Sequence, residues 1–187
     1  MEKAKNMEQN HFLFEHRLAS GTIKHVEVYS GKVTLKDKPF LFSIIHDISG
    51  RKQAEKALKE SEERYRTLFE NSTIGIYRTT PEGQILLANP TLIKLLGYSS
   101  FKELAGRNLA EEGFEPSYKR THFMDVLKRE GEVKGLESAW TRKDGTILFI
   151  SESARAIHDM EGSLMFYDGI VEDITGRKQA IEALKES

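Results

Sequence analysis

The chain has 187 residues, of which 39% are hydrophobic and 30% charged, enough apolar material for a packed core within the charge content of an ordinary soluble protein. Lys plus Arg total 28 against 29 Asp plus Glu, so no global charge draws it to nucleic acid or to an anionic membrane. Cysteine is absent, which excludes a disulfide framework, a thiolate metal site and a cysteine nucleophile.

The opening "MEKAKNMEQN" is polar and lacks the apolar stretch of a leader peptide. Apolar runs such as "ILFI" (Ile147–Ile150) are too short to span a bilayer, and a cytoplasmic location without membrane insertion is expected. Three strands are predicted between His11 and Asp47, carrying Phe12, Phe14, Ile23, Val26, Val28, Phe40, Phe42 and Ile44. They end on "DISGRKQAEKALKES" (Asp47–Ser61), which returns as "DITGRKQAIEALKES" (Asp173–Ser187) with three changes in fifteen positions.

The match extends upstream. "SGTIKHVEV" (Ser20–Val28) aligns with "DGTILFISE" (Asp144–Glu152), and "PFLFSIIHDIS" (Pro39–Ser49) with "LMFYDGIVEDIT" (Leu164–Thr175). Two extra residues in the second copy fall near "HDMEGS", where a turn absorbs them. At that offset Met1 projects into a helix of the second copy, so the first copy reads as the C-terminal portion of the repeated unit. Its apolar strands then lack the elements that would cover them. The expectation is that they pair or pack with the same segment of a second chain, against the plainer reading of a frayed boundary.

The phrase after Asp47 is a helix. In "RKQAEKALKESEERYRTLFE", Ala54, Leu58, Ser61, Tyr65 and Leu68 are spaced 4, 3, 4, 3, a heptad seam flanked by Lys, Arg and Glu. Two readings fit it: a dimer seam between two connector helices, or an amphipathic helix packing on its own domain. Ala180 and Leu184 begin the same seam again.

The complete copy follows. "IGIYRTT" and "QILLAN" flank "PEG" and predict a hairpin. "PTLIKLLGYSSFKELAGRN" has helical spacing broken at Gly97 and Gly106 into short helices. Pro116 is expected to start a longer helix, with Phe123, Val126 and Leu127 inward and Gly131 at its end. "EVKGLESAWTR", "TILFISESARAI" and "SLMFYDGIVED" are three strands, the first two joined by the turn signal Asp144–Gly145. The expected fold class is α+β: a five-stranded antiparallel sheet with helices on one face, preceded by a partial three-stranded end and a connector helix.

In this order, "ANP", "LLGY", "GRN", "TRKDGT" and the closing "EDITGRKQAIEAL" resemble a PAS domain with its PAC segment. The resemblance places the C-terminal part of one such domain at residues 1–49, a connector at 50–70, a complete domain at 71–175 and the start of a second connector at 176–187. It implies a module that binds a small ligand or cofactor, or none, and passes a signal through helical connectors. It also implies a parent protein with a histidine kinase or diguanylate cyclase as output domain.

A PAS-like pocket would lie between the inner sheet face and the helices, where apolar side chains converge. The candidates are Ile76 and Leu87 from the first hairpin, Leu95, Leu96, Phe101 and Leu104 from the short helices, and Phe123 and Leu127 from the longer one. Trp140, Phe149 and Tyr167 come from the closing strands, and the same residues also describe a plain core. Trp140 stands out because a buried indole N–H wants a partner. The lack of cysteine excludes a flavin–thiol adduct and a thioester chromophore. Haem would need an axial ligand, for which the resemblance offers His122; non-covalent flavin has no residue of its own, and the apo state is the leading expectation. The remaining histidines lack the clustered spacing of a metal site, and no nucleophile elbow, phosphate loop or general-base pair suggests catalysis.

For the relay, the resemblance pairs Asp173 at the end of the last strand with Arg142 in the "RKDG" turn. The other reading makes Asp173 the cap of the connector helix. The first copy has "RLASG" in place of "TRKDG", so Asp47 has lost this latch or uses another. Two functions follow: a sensor whose occupied pocket alters the strand–helix junction, or a ligand-free dimerisation and relay module. A polar group deep in the pocket favours the first, and a pocket filled by its own aliphatic side chains favours the second.

Overall fold

The computed structural model describes residues 10–109, 113–114 and 120–185, with the side chains of 120–122 outside that description. The chain divides into two compact units, Met1–Tyr65 and Arg66–Ser187, so the division falls inside a helix.

In the first unit, β1 (His11–Arg17), β2 (Ile23–Leu35) and β3 (Lys38–Asp47) form an antiparallel sheet in sequence order. Lys36 and Asp37 both adopt positive φ, 49° and 59°, which closes the β2–β3 hairpin with a two-residue turn whose twist matches the strands. Val26, Val28 and Ile48 are buried, whereas Phe14, Leu41, Phe42 and Ile45 remain 44–56% exposed. Helix α1 (Ser49–Glu70) buries none of its residues and carries exposed i,i+4 pairs Arg51–Glu55, Lys56–Glu60 and Lys59–Glu63. Each such pair is worth only a few tenths of a kcal/mol, about 0.3–0.5.

The second unit has the predicted order: β4 (Gly75–Thr79), β5 (Ile85–Ala88), α2 (Pro90–Leu95), α3 (Phe101–Leu104), α4 (Arg120–Glu130), β6 (Glu132–Thr141), β7 (Ile147–His158), β8 (Leu164–Asp173) and α5 (Thr175–Lys185). The strands pair antiparallel in the order β5-β4-β8-β7-β6, which is the PAS-like α+β sheet. Pro116, the expected start of the longer helix, lies outside the described residues. Gly131 closes α4 at φ 75°, a left-handed conformation that costs glycine nothing.

Asn89 ties three elements together. Fully buried, its Oδ1 accepts the amides of Leu92 (3.0 Å) and Ile76 (2.9 Å), capping α2 while holding β4. Its Nδ2 donates to the carbonyls of Ile74 (2.9 Å) and Phe69 (3.3 Å), which pins the end of α1 to this unit. The core forms two clusters on the inner sheet face. One gathers α2, α3, β4 and β5 around Leu96, Leu104 and Trp140; the other joins Phe123 and Leu127 of α4 to Val133, Ala154 and Tyr167.

Candidate functional site

The first cluster encloses a small cavity of about 20 Å³, measured as room for the centre of a water-sized molecule. Its apolar walls are Ile85, Leu92, Leu96, Leu104, Leu109 and Phe114. Its polar lining comes from β4, β6 and β7: Tyr77, Thr79, Trp140 and Glu152. Glu152 is 2% exposed and its Oε1 accepts the Tyr77 hydroxyl at 2.5 Å, so a charge-bearing side chain sits in the core with its hydrogen bond supplied from another strand. Trp140 Nε1 and Thr79 Oγ1 are also buried and have no hydrogen-bond partner among the described residues. The indole stacks on Phe114 at 5.4 Å between centroids, and the Arg107 guanidinium lies 4.6 Å from the centroid of that ring. Arg107 is held in turn by the Tyr98 hydroxyl (2.9 Å) and the Gly113 carbonyl (3.2 Å).

Of the pocket candidates read from the sequence, Leu96, Leu104 and Trp140 line this cavity. Phe123, Leu127 and Tyr167 are buried in the neighbouring cluster instead. Leu95 is half-buried against the first cluster. Four candidates need correction. Strand alternation points Tyr77 and Thr79 inward, which turns Ile76 to the outer face opposite Ile170. Leu87 pairs with the outward Arg78, one residue before the inward Ala88, which pairs with Tyr77. Phe149 is 37% exposed between the fully buried Leu148 and Ile150, and Phe101 opens α3 at 37% exposure. The His122 side chain lies outside the described residues. Tyr77, Thr79 and Glu152 were not anticipated, although Glu152 shares the parity of Leu148 and Ile150 along "ILFISES".

Haem and flavin do not fit this cavity. Sites for molecules of that size occupy several hundred Å³, on the order of 300 or more, and here there is room for little beyond water. Among the described residues no group of histidine and acidic side chains is arranged to hold a metal ion.

At the exit of the sheet, Asp173 stands opposite Ile150 and serves both roles considered for it. Its Oδ1 accepts the Thr175 amide at 2.8 Å, capping the start of α5, and its Oδ2 lies 3.9 Å from Arg142 Nη2, an ion-pair contact too long for a hydrogen bond. The Thr175 hydroxyl accepts the Phe149 amide at 3.1 Å, joining α5 to β7. Glu137 on β6 adds a second tie, reaching Arg177 at 2.5 Å and Lys178 at 2.7 Å. The hydrogen bond from Lys178, then the charges of Lys178 and Arg177, hold its carboxyl below the ordinary range.

The first unit repeats this junction with a different latch. Asp47 Oδ1 accepts the Ser49 amide at 2.9 Å, and the Ser49 hydroxyl accepts the His25 amide at 2.9 Å. Its ion-pair partner is Lys24, 3.0 Å away, and Leu18 stands where the second unit has Arg142. The Ser49 hydroxyl and amide, then Lys24, hold the Asp47 carboxyl far below the usual carboxylate range. The seam positions Leu58, Tyr65 and Leu68 on α1 are 60–68% exposed, and Ala54 is exposed with them. No described helix is long and apolar enough to cross a membrane.

The family model described as the PAS fold matches residues 63–174, more than half of the chain. The chain is 32% identical over 138 residues to sensor histidine kinase TmoS of Ectopseudomonas mendocina, covering 72% of this chain and 14% of that protein. It is 36% identical over 131 residues to the methyl sulfide methyltransferase-associated sensor of Methanosarcina acetivorans, covering 68% of this chain and 13% of that one. The chain thus spans about a seventh of the length of these relatives. Among solved structures, the PAS domain of an HTR-like protein from Haloarcula marismortui superposes with a TM-score of 0.54 at 27% identity, over 66% of this chain and 99% of the other.

Proposed function

The chain belongs to the PAS family, and from that premise we propose that its complete domain is a sensor whose cavity responds to a small molecule and passes the response through the β8–α5 junction. The observation that carries this reading is the buried polar pair Tyr77–Glu152, with Thr79 and Trp140 lining the same cavity. A core serving packing alone gains nothing from these atoms, since each buried polar group must be satisfied or it opposes folding. The route outward is short: Glu152 and Ile150 lie on β7, Ile150 faces Asp173, and Asp173 caps α5. The family role is regulatory, and the chemistry of a parent protein would reside in an output domain such as a histidine kinase. One relative above is named a sensor histidine kinase and the other a sensor, which supports a position ahead of a kinase.

A second reading rests on α1. A heptad seam left 60–68% exposed at Leu58, Tyr65 and Leu68 suits a second copy of the chain, making the module a dimeric relay without a ligand. Native mass spectrometry of the freshly purified protein separates the two. A mass above that of the bare chain supports the sensor, whereas a bare dimer overturns it in favour of the relay.

A further inference from the structure

We propose that the open edge of β3 is an interface, and that it pairs antiparallel with β3 of a second copy of the chain. Strand β3 ends its sheet in the order β1-β2-β3, and no described strand pairs with its outer side. All ten of its residues, Lys38–Asp47, are exposed. Phe40, Leu41, Phe42, Ile44 and Ile45 stand 45–56% exposed, on both faces of the strand. The other sheet edges are blunted in ways that β3 is not. Strand β1 carries Glu15 and Arg17, and β5 is only four residues long. Strand β6 carries Glu132, Lys134 and Glu137, with a register shift between Val133 and Leu136. Between Phe40 and Ile45, β3 has no charged residue. Its counterpart in the second unit, β8, takes β4 on the side away from β7.

The strand fits its own reverse. The Ile48 amide donates to the His25 carbonyl, so even-numbered residues of β3 turn their backbone groups to β2 and odd-numbered ones to the open edge. Pro39 has no N–H to offer there, which an edge tolerates. A two-fold axis at Ser43 then sets Leu41 against the partner's Ile45 and Phe42 against the partner's Ile44, with Phe40 against the partner's His46. No like charges face each other in this register. Gly169, the equivalent of Ser43, pairs with Tyr77, and a Cβ there would meet the tyrosine ring at 2.1 Å. The Cβ of Ser43 thus disfavours a strand like β4 in this place, whereas a second serine fits. Five half-exposed apolar side chains offer about 100 Å² each. That is roughly 500 Å² per copy against about 800 Å² for a standard interface, so the pairing is reversible.

The chain has no cysteine, so a single introduced thiol reports the register. At the axis, paired Cα atoms stand about 5.5 Å apart, within disulfide reach. Positions 42 of the two copies are diagonal neighbours at about 7–8 Å, beyond it. Under the same mild oxidation S43C should therefore form a disulfide-linked dimer about ten-fold faster than F42C. The comparison is made in L58E/L68E, which removes the α1 seam as a route to dimers. Without a cysteine, L58E/L68E should sediment as a dimer that dissociates on dilution. A chain that stays monomeric there at every concentration overturns the proposal, and so does F42C crosslinking as fast as S43C. A monomer whose β3 amides are protected from exchange by a peptide of residues 71–80 overturns it as well, giving the edge to a strand like β4. None of these outcomes touches the sensor reading, which rests on the second unit.

Discussion

At Asp47–Ser49 and again at Asp173–Thr175 an aspartate caps a helix by accepting the amide two residues on, at 2.9 and 2.8 Å. In both, the hydroxyl of that next residue takes an amide from the adjacent strand, His25 in one unit and Phe149 in the other. The pairings Val26 with Asp47 and Ile150 with Asp173 keep the two junctions in one register. The sheets leading into them differ. Where the second unit has buried Leu148 the first has Lys24; where it has Glu152 the first has Val28; where it has Gly169 the first has Ser43. An exit of this kind needs two neighbouring strands and a helix start, so it forms in a three-stranded unit. A cavity needs β4, β5 and the short helices as well, and the residues that define it occur in the unit that has them.

Exchanging residues between the two units tests whether that distinction is physical. L148K should have the largest effect, because Leu148 is fully buried and the nearest analogue of its new partner, Asp173, is engaged with Thr175. An unpaired charge there should cost about 4 kcal/mol, read by urea unfolding followed by circular dichroism. The reverse change, K24L, removes a half-exposed pair with Asp47 and should cost less than about 1 kcal/mol. Equal costs for the two would erase the comparison.

G169S comes next. A Cβ on Gly169 would sit 2.1 Å from Cζ of the buried Tyr77 ring, so the ring must leave its place and the bond to Glu152 must break. Overpacking of this kind costs about 3 kcal/mol. Ser43, in the same place in the first unit, shares a hydrogen bond with the Ser30 hydroxyl at 2.7 Å, and S43G should cost about 1 kcal/mol or less. An unshifted urea midpoint in G169S would mean that Tyr77 is not held over the strand.

These contrasts also mark where sequence reading succeeds. The hairpin at Asp144–Gly145, the break at Gly97 and the stop at Gly131 are legible because glycine tolerates the left-handed φ of 75–84° that each requires. The strands themselves follow from β-branched and aromatic runs. Which face points inward does not, when four apolar residues stand together. "ILFI" allows either Leu148 and Ile150 or Ile147 and Phe149 to face the core, and "IGIY" allows Ile76 or Tyr77. Glu152 deepens the ambiguity, since a charge ordinarily marks the solvent side. It is buried because Tyr77, 75 positions away, brings a hydroxyl to it, and no local pattern reports so distant a partner. Asn89 in "ANP" hides its role for the same reason, its four partners being spread from Phe69 to Leu92.

The smallest expected effect concerns the second tie on α5. Glu137 occupies the β6 position that Leu13 takes in β1, so Arg177 and Lys178 have a carboxylate to meet where Arg51 and Lys52 have an apolar side chain. Its folded carboxyl is lowered from 4.5, chiefly by the hydrogen bond from Lys178. A lowered value means that the folded state resists protonation, so the tie contributes fully above about 4.5 and is lost as pH falls through the lowered value. Amide chemical shifts at Arg177 and Lys178 should therefore show an acid transition below that point, weakened by added salt because the pair is at the surface. At α1 the corresponding transition belongs to Asp47, which protonates only at still lower pH. E137Q should remove the α5 transition and leave the α1 transition unchanged. If the α5 transition persists in E137Q, Glu137 is not its source, and the second tie does not distinguish the two exits.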